Sequence, residues 1–230
     1  MAFSKVKIWG TMKTAILLGA TGLTGGILLQ KLLKNPAYEK VKLFSRSPVA
    51  VRDGKIEEHL IDMFRLDEYT ELFEADEVFC CIGTTKSKTP DTDTYRKIDF
   101  GIPVAAAKLC KENGINTFLV ISALGADANS STFYNKIKGK MEEAVLSQNI
   151  KNTYIFQPSL IAGDREEKRF FENLAKNAFE ILNFMMLGPL KKYRSIHPET
   201  IAKAMIIVAK QGHKKNSIES DEIKEIASSL

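Results

Sequence analysis

The stretch TAILLGATGLTGG, residues 14–26, runs from a short apolar segment straight into glycines at positions 19, 22 and 25. An apolar run this short, closed by glycine, reads as a buried strand. Beyond it, Ile27, Leu28, Leu32 and Leu33 repeat at helical spacing until Pro36 stops them. Strand, glycine turn and helix in that order describe a dinucleotide-binding turn. Gly19 lacks a Cβ where the chain reverses, Gly22 where a pyrophosphate approaches, and Gly25 where the helix meets the sheet. The helix N-terminus then offers an anion its unpaired amides and positive dipole. Glycines alone are weak evidence; in this context they are strong. Gly19, Thr21, Gly22, Leu23, Thr24 and Gly25 are the contacts expected from the turn.

The same alternation continues along the chain. Strands are expected at KVKLFS (40–45), IEEHLID (56–62), EVFCCIG (77–83), TFLVIS (117–122) and NTYIFQPSLI (152–161). Helices are expected at LDEYTELFE (66–74), DFGIPVAAAKLCKENG (99–114) and residues 134–148. This rhythm predicts an α/β fold: a Rossmann-type, doubly wound parallel sheet with helices on both faces. Residues 1–12 are expected to be an N-terminal extension and 13–230 a single domain. Within it, residues 164–196, rich in Phe, Met and Leu, break the rhythm as a small apolar cap on the substrate side.

Composition narrows the function. The 230 residues carry a net charge of +5, with lysines scattered rather than clustered, so no nucleic-acid footprint is expected. Cys80, Cys81 and Cys110 show no CxxC spacing and read as small buried thiols. His59, His197 and His213 lie far apart, which gives no support to a metal site. The cap segment is too short and polar to span a membrane. With no secretory signal and no disulfide framework, a reduced cytoplasmic setting is the expectation.

Strand two selects the dinucleotide. A site that prefers NAD usually ends this strand with a carboxylate for the ribose 2′-hydroxyl. Here LFSRS places Ser45 and Arg46, and a guanidinium can fork onto a 2′-phosphate. NADP(H) is therefore the expected cofactor. Asp62, with Met63 beside it, is placed to meet the adenine; Gly83, Thr84 and Thr85 stand at the carboxyl edge of the sheet, where ligands bind in open α/β folds. Lys86 and Lys88 read as exposed loop lysines.

Two Tyr-x-x-x-Lys pairs occur, Tyr38/Lys42 and Tyr134/Lys138. The first falls at strand two, where four extended residues hold the side chains roughly 13 Å apart, too far to couple. The second opens a helix, where positions four apart are neighbours. Ser122 ends the strand before that helix, so Ser122, Tyr134 and Lys138 are expected to converge beside a nicotinamide. Ser122 would bind the substrate oxygen, Tyr134 exchange the proton, and Lys138 lower the tyrosine pKa and hold the ribose. Bringing a phenol from about 10 to about 7 takes roughly 4 kcal/mol of preferential anion stabilisation.

Together the glycine loop, Ser122 and Tyr134-x-x-x-Lys138 resemble the short-chain dehydrogenase/reductase superfamily in its atypical, NAD(P)-binding branch. VFCCIGTTKSK, ISALGADANSSTFYNKIKGKMEE and FQPSLIAGDR further resemble the Tat-interacting protein family and its bacterial relatives, over about residues 13 to 210. The resemblance implies a Rossmann core with bound NADPH and the catalytic roles given above. It also implies that Gln157, Pro158, Ser159 and Leu160 line the nicotinamide pocket and that Asp99 anchors the helix after strand four. Gln157 stands where relatives often carry Arg. The mammalian member's association with transcription and nuclear import does not transfer with a fold. The expected activity is hydride transfer to a carbonyl or from an alcohol, on a small-molecule substrate, by a monomer or homodimer. The alternatives are an NADPH-binding regulator without turnover and an epimerase of sugar nucleotides.

Overall fold

The computed structural model describes residues 12–162 and 192–229. The expected N-terminal extension, Met12 apart, and the apolar cap up to residue 191 lie outside them. The founding strand, β1 (Lys13–Leu18), lies inside a seven-stranded sheet, third from one edge. With β2 (Tyr38–Ser45), β3 (Ile56–Leu60), β4 (Glu77–Cys80), β5 (Thr117–Ile121), β6 (Asn152–Gln157) and β7 (Ser217–Glu219), the order is β3-β2-β1-β4-β5-β6-β7. Every pairing is parallel. The order reverses at β1, opening a crevice between the carboxyl ends of β1 and β4, where ligands collect in such sheets.

Alternation along β1 shows why the sheet is covered twice. Ala15 and Leu17 pack against α1 (Leu23–Lys34), α5 (Pro198–Gln211) and α6 (Ser220–Ser228), through Leu28, Leu32, Val208 and Ile223. Ile16 and Leu18 point the other way, into a second core with Met63, Leu109, Cys110, Met141 and Val145. Those come from a 3-10 segment (Met63–Leu72), α3 (Ile102–Glu112) and α4 (Phe133–Leu146). Successive strand residues facing opposite cores give the near-continuous apolar runs seen in the sequence.

Three elements depart from expectation. The helix expected at 66–74 is instead the 3-10 segment, with non-helical backbone at Arg65 and Tyr69. The helix expected from Asp99 begins earlier, as α2 (Thr92–Arg96), and passes through a π-turn at Lys97–Gly101 before α3. Pro103 explains the turn: it has no amide hydrogen to give the carbonyl four residues back, that of Asp99. The Ile102 amide reaches Lys97 O instead, five residues back, and the wide turn leaves Asp99 fully buried beneath the sheet edge. Finally, α5, β7 and α6 extend the alternation past the sixth strand. Strand β7 is only three residues, paired with β6 at Ile155↔Ser217 and Gln157↔Glu219, too short to show a period.

Candidate functional site

Gly19 adopts a φ of +87°, and a Cβ there would lie 2.7 Å from the carbonyl oxygen of Cys81. A Cβ on Gly25 would lie 2.1 Å from Gly19 O, so helix and turn can approach this closely only without one. Gly22 is different. Its missing Cβ faces only Gly19 O at 3.2 Å, and its residue caps α1 with no side-chain hydrogen bond. The first amides of α1 are thus left to an outside acceptor.

The turn forms one wall of an open cleft of about 950 Å³ at the carboxyl edge of the sheet. Of the residues expected at the site, the cleft brings together Thr21, Gly22, Leu23 and Thr24, then Gly83, Thr84 and Thr85. Ser122, Tyr134, Lys138, Pro158, Ser159 and Leu160 complete that set. Gly19 and Gly25 serve from behind as packing glycines. Five residues stand outside it, the first being Gln157, whose amide donates to Glu142 instead. Ser45 is buried and donates to Ser47 O, Arg46 is exposed, and Met63 belongs to the core. Asp62 caps the 3-10 segment through the Phe64 amide at 2.9 Å.

Asp99 organises the floor. Its Oδ2 accepts from the Thr84 amide at 2.8 Å, and its Oδ1 lies 2.8 Å from Lys138 Nζ, with both side chains almost wholly buried. A carboxylate that fixes the loop after β4 and neutralises the site lysine does more than anchor a helix. The π-turn that places it was not legible in the sequence. Burial alone would pull the Lys138 ammonium down; Asp99 and then Tyr134 oppose it, and the net displacement is upward.

The tyrosine departs from expectation in its electrostatics. Tyr134 is 43% exposed and open to the cleft. Desolvation around its hydroxyl raises its pKa, Lys138 opposes this, and the Asp99 charge adds to the rise. The expected lowering by Lys138 is therefore present but outweighed, first by desolvation and then by the Asp99 charge.

Ser122 is also engaged. Its hydroxyl donates to Glu142 Oε1, and the Gln157 amide donates to Glu142 Oε1 and Oε2 at 3.0 and 2.9 Å. Glu142 lies one turn beyond Lys138 on α4, and burial raises its pKa against the hydrogen bonds of Ser122 and Gln157 and the charge of Lys138. Sequence reading missed it, although the spacing 134, 138, 142 marks a single helix face. Leu124, Ile161 and Tyr193 add apolar surface beyond Ser122, and Cys81, expected to be buried, partly faces the cleft. Lys88 reaches the cleft as well, while Lys86 stacks over Phe133, 4.9 Å from its ring centre.

A family model described as NAD(P)H-binding matches residues 19–178, which takes in the glycine turn, Asp99 and all of α4. The chain belongs to this NAD(P)H-binding family. It is an atypical short-chain dehydrogenase/reductase of Rossmann type. FMP52-1, a mitochondrial protein of Scheffersomyces stipitis, is 34% identical over 176 residues, covering 74% of this chain and 77% of its own. HTATIP2 of Rattus norvegicus is 33% identical over 171 residues, 73% of this chain and 70% of its own, as the resemblance to the Tat-interacting protein family implied. Among solved structures, a UDP-glucuronic acid 4-epimerase from Bacillus cereus in complex with NAD superposes with a TM-score of 0.64 at 18% identity, covering 91% of this chain and 78% of its own. At that identity the likeness concerns the fold.

The cytoplasmic expectation is corrected by these relatives, several of which are named as mitochondrial proteins. The expectation rested on cysteine spacing, which does not distinguish one reducing compartment from another. Among the described residues no helix is long and apolar enough to cross a membrane, and no cluster of three metal-ligating side chains occurs. A nicotinamide dinucleotide fits what is present. The cradle at Gly19, Gly22 and Gly25 leaves free amides at a helix N-terminus, and the cleft runs from there to Tyr134.

Proposed function

We propose that the protein is an NADPH-dependent oxidoreductase that moves hydride to a carbonyl, or from an alcohol, of a small molecule. The observation that carries this reading is the common cleft: Gly22 on one wall and Ser122, Tyr134 and Lys138 on the other. The nicotinamide supplies or accepts the hydride when bound.

The chain's own residues supply the rest. Tyr134 holds a phenolic proton toward the cleft and gives it to the substrate oxygen, or takes it back, as general acid or base. Its raised pKa in the free protein keeps that proton in place through the neutral range. Ser122 fixes the position of the same oxygen. Lys138, held by Asp99, brings a fixed positive charge to the tyrosinate that forms after transfer, in a site where burial strengthens the attraction. Leu124, Leu160, Ile161 and Tyr193 form an apolar wall for the substrate's carbon skeleton.

Arg46, exposed at the end of β2, supports NADPH over NADH through its capacity to pair with a 2′-phosphate. Arg46→Glu is expected to weaken NADPH binding at least tenfold and to leave NADH binding nearly unchanged in a fluorescence titration. A screen of carbonyl compounds that follows NADPH absorbance tests the reaction itself, with Tyr134→Phe as its control. Turnover that Tyr134→Phe abolishes supports an oxidoreductase. Tight NADPH binding with no turnover on any compound would instead favour a cofactor-binding regulator.

A further inference from the structure

Behind the cleft, Glu142 presents an unusual balance of partners. It is 9% exposed, and its two oxygens are held by a serine hydroxyl and a glutamine amide, both neutral. Among the described residues, no cation hydrogen-bonds to it. The ammonium one turn earlier on its own helix, Lys138, is turned to Asp99 instead. A buried carboxyl held only by neutral donors can exist in either protonation state, because each state can be satisfied by the same neighbours.

From this geometry we propose that the protonation state of Glu142 decides which face of its hydroxyl Ser122 shows to the substrate. The inference rests on the reading of Ser122 as the group that holds the substrate oxygen. A serine oxygen has one proton and two lone pairs. When Glu142 is ionised, the Ser122 proton is committed to it, and only a lone pair is left for the cleft. Ser122 then accepts, which suits an alcohol. When Glu142 takes up one proton from solvent, its O–H donates to Ser122 Oγ. The serine proton is freed to point into the cleft, where it suits a carbonyl. Glu142 is thus a positioning residue that biases the site between ketone-holding and alcohol-holding forms, and pH sets the balance.

The surrounding groups leave this choice to Glu142. On α4, Tyr134 and Lys138 both have raised pKa values and keep their protons through the neutral range. From the π-turn, Asp99 is paired with Lys138, and from β4 the Cys80 thiol, pushed up to about 11, stays neutral. The loop against α4 carries Asp127, which is occupied by the amide of Asn129. From β6 the only polar group reaching Glu142 is the Gln157 amide, which does not titrate. Burial displaces the Glu142 pKa upward, in the direction of working pH.

The test uses the full chain labelled with 13C at glutamate carboxyls, and two probes that form non-reacting complexes: cyclohexanone with NADP+ and cyclohexanol with NADPH. The Glu142 signal, recognised by its loss in Glu142→Gln, is expected to titrate above the ordinary glutamate range. Across that midpoint, saturation-transfer titrations should show cyclohexanone affinity falling and cyclohexanol affinity rising, each about fivefold, the effect of one hydrogen bond gained or lost. In Glu142→Gln both affinities should become independent of pH. Gln157→Arg gives a second route if that variant does not fold: a guanidinium beside the carboxylate should move the midpoint and the probe crossover down together. A Glu142 signal in the ordinary range, or probe affinities that ignore its titration, overturns the proposal. If the probes respond but no carbonyl is turned over, the proposed reaction fails and the switch stands; turnover with probe binding that is flat in pH is the opposite result.

Discussion

The two edges of the sheet each bring together a tyrosine, a lysine and a buried carboxylate, with opposite consequences. At the amino edge, Tyr38 opens β2, its hydroxyl donates to Glu77, and Lys13 pairs with the same carboxylate at 2.7 Å. Tyr38 is 3% exposed, and burial together with the Glu77 charge drives its phenol further from ionisation. At the carboxyl edge the lysine and carboxylate pair with each other, and Tyr134 stands open to the cleft. The residue types are the same. What differs is whether the phenol proton is already given away. At the amino edge it is bound inward, which makes a structural pin; at the carboxyl edge it remains available, which a proton donor requires.

The sharpest way to break this comparison is to remove each hydroxyl in turn. Tyr134→Phe should lower the rate constant for turnover of an identified substrate by about 10²- to 10⁴-fold, the usual worth of general acid–base catalysis, with little change in unfolding midpoint. Tyr38→Phe should do the reverse. Turnover should persist while denaturant unfolding shows a loss of about 1.5–3 kcal/mol, typical of a hydrogen bond to a charged group. Equal effects of the two variants on rate would remove the distinction.

Asp99→Asn attacks the pair on which the open edge depends. It leaves the Lys138 ammonium buried without its counter-charge, and breaking a buried pair from one side costs about 3–5 kcal/mol. The cost should appear in urea unfolding, and Asp99→Asn/Lys138→Met should recover much of it. Failure of the double variant to recover stability would show that Asp99 acts mainly through the Thr84 amide rather than through the lysine.

What the sequence made legible follows from the range over which each feature is specified. The turn at Gly19, Gly22 and Gly25 is local, so spacing and flanking periodicity were enough to read it and, from the alternation, the parallel sheet. The Tyr134/Lys138 face of α4 is local too. The pairing of Asp99 with Lys138, beyond its expected role as a helix anchor, and the place of Glu142 escaped because neither is local: one depends on a π-turn imposed by Pro103, the other on two strand ends meeting a helix. Tyr38 shows the limit from the other side. Its partner Glu77 stands 39 residues away in the chain, and only the register of β1 with its neighbours brings them together.

Within the cradle, Gly22→Ala and Gly25→Ala separate binding from folding. A methyl at 25 would overlap the Gly19 carbonyl, so Gly25→Ala should destabilise by about 1–3 kcal/mol, as overpacking does. A methyl at 22 meets a single backbone oxygen at 3.2 Å and otherwise faces the cleft. Gly22→Ala should therefore keep most of the stability and lose dinucleotide affinity, measured by calorimetric titration. Matching losses of stability in the two would mean that Gly22 serves the turn rather than the ligand.

The finest test compares the buried glutamates, Glu77 with a lysine at 2.7 Å and Glu142 with neutral donors only. Burial raises the Glu142 pKa, so the native chain holds that proton more tightly than the unfolded chain does. Such a group contributes its full stability below the unfolded value, near 4.5, and loses it as pH rises through the higher folded value. Each unit of displacement corresponds to about 1.4 kcal/mol. Glu142→Gln has no carboxyl to ionise, so its stability relative to the parent should improve as pH rises from about 4.5 toward neutrality. Parallel stability curves for the two proteins over that window would mean that Glu142 ionises in the fold as easily as in the open chain.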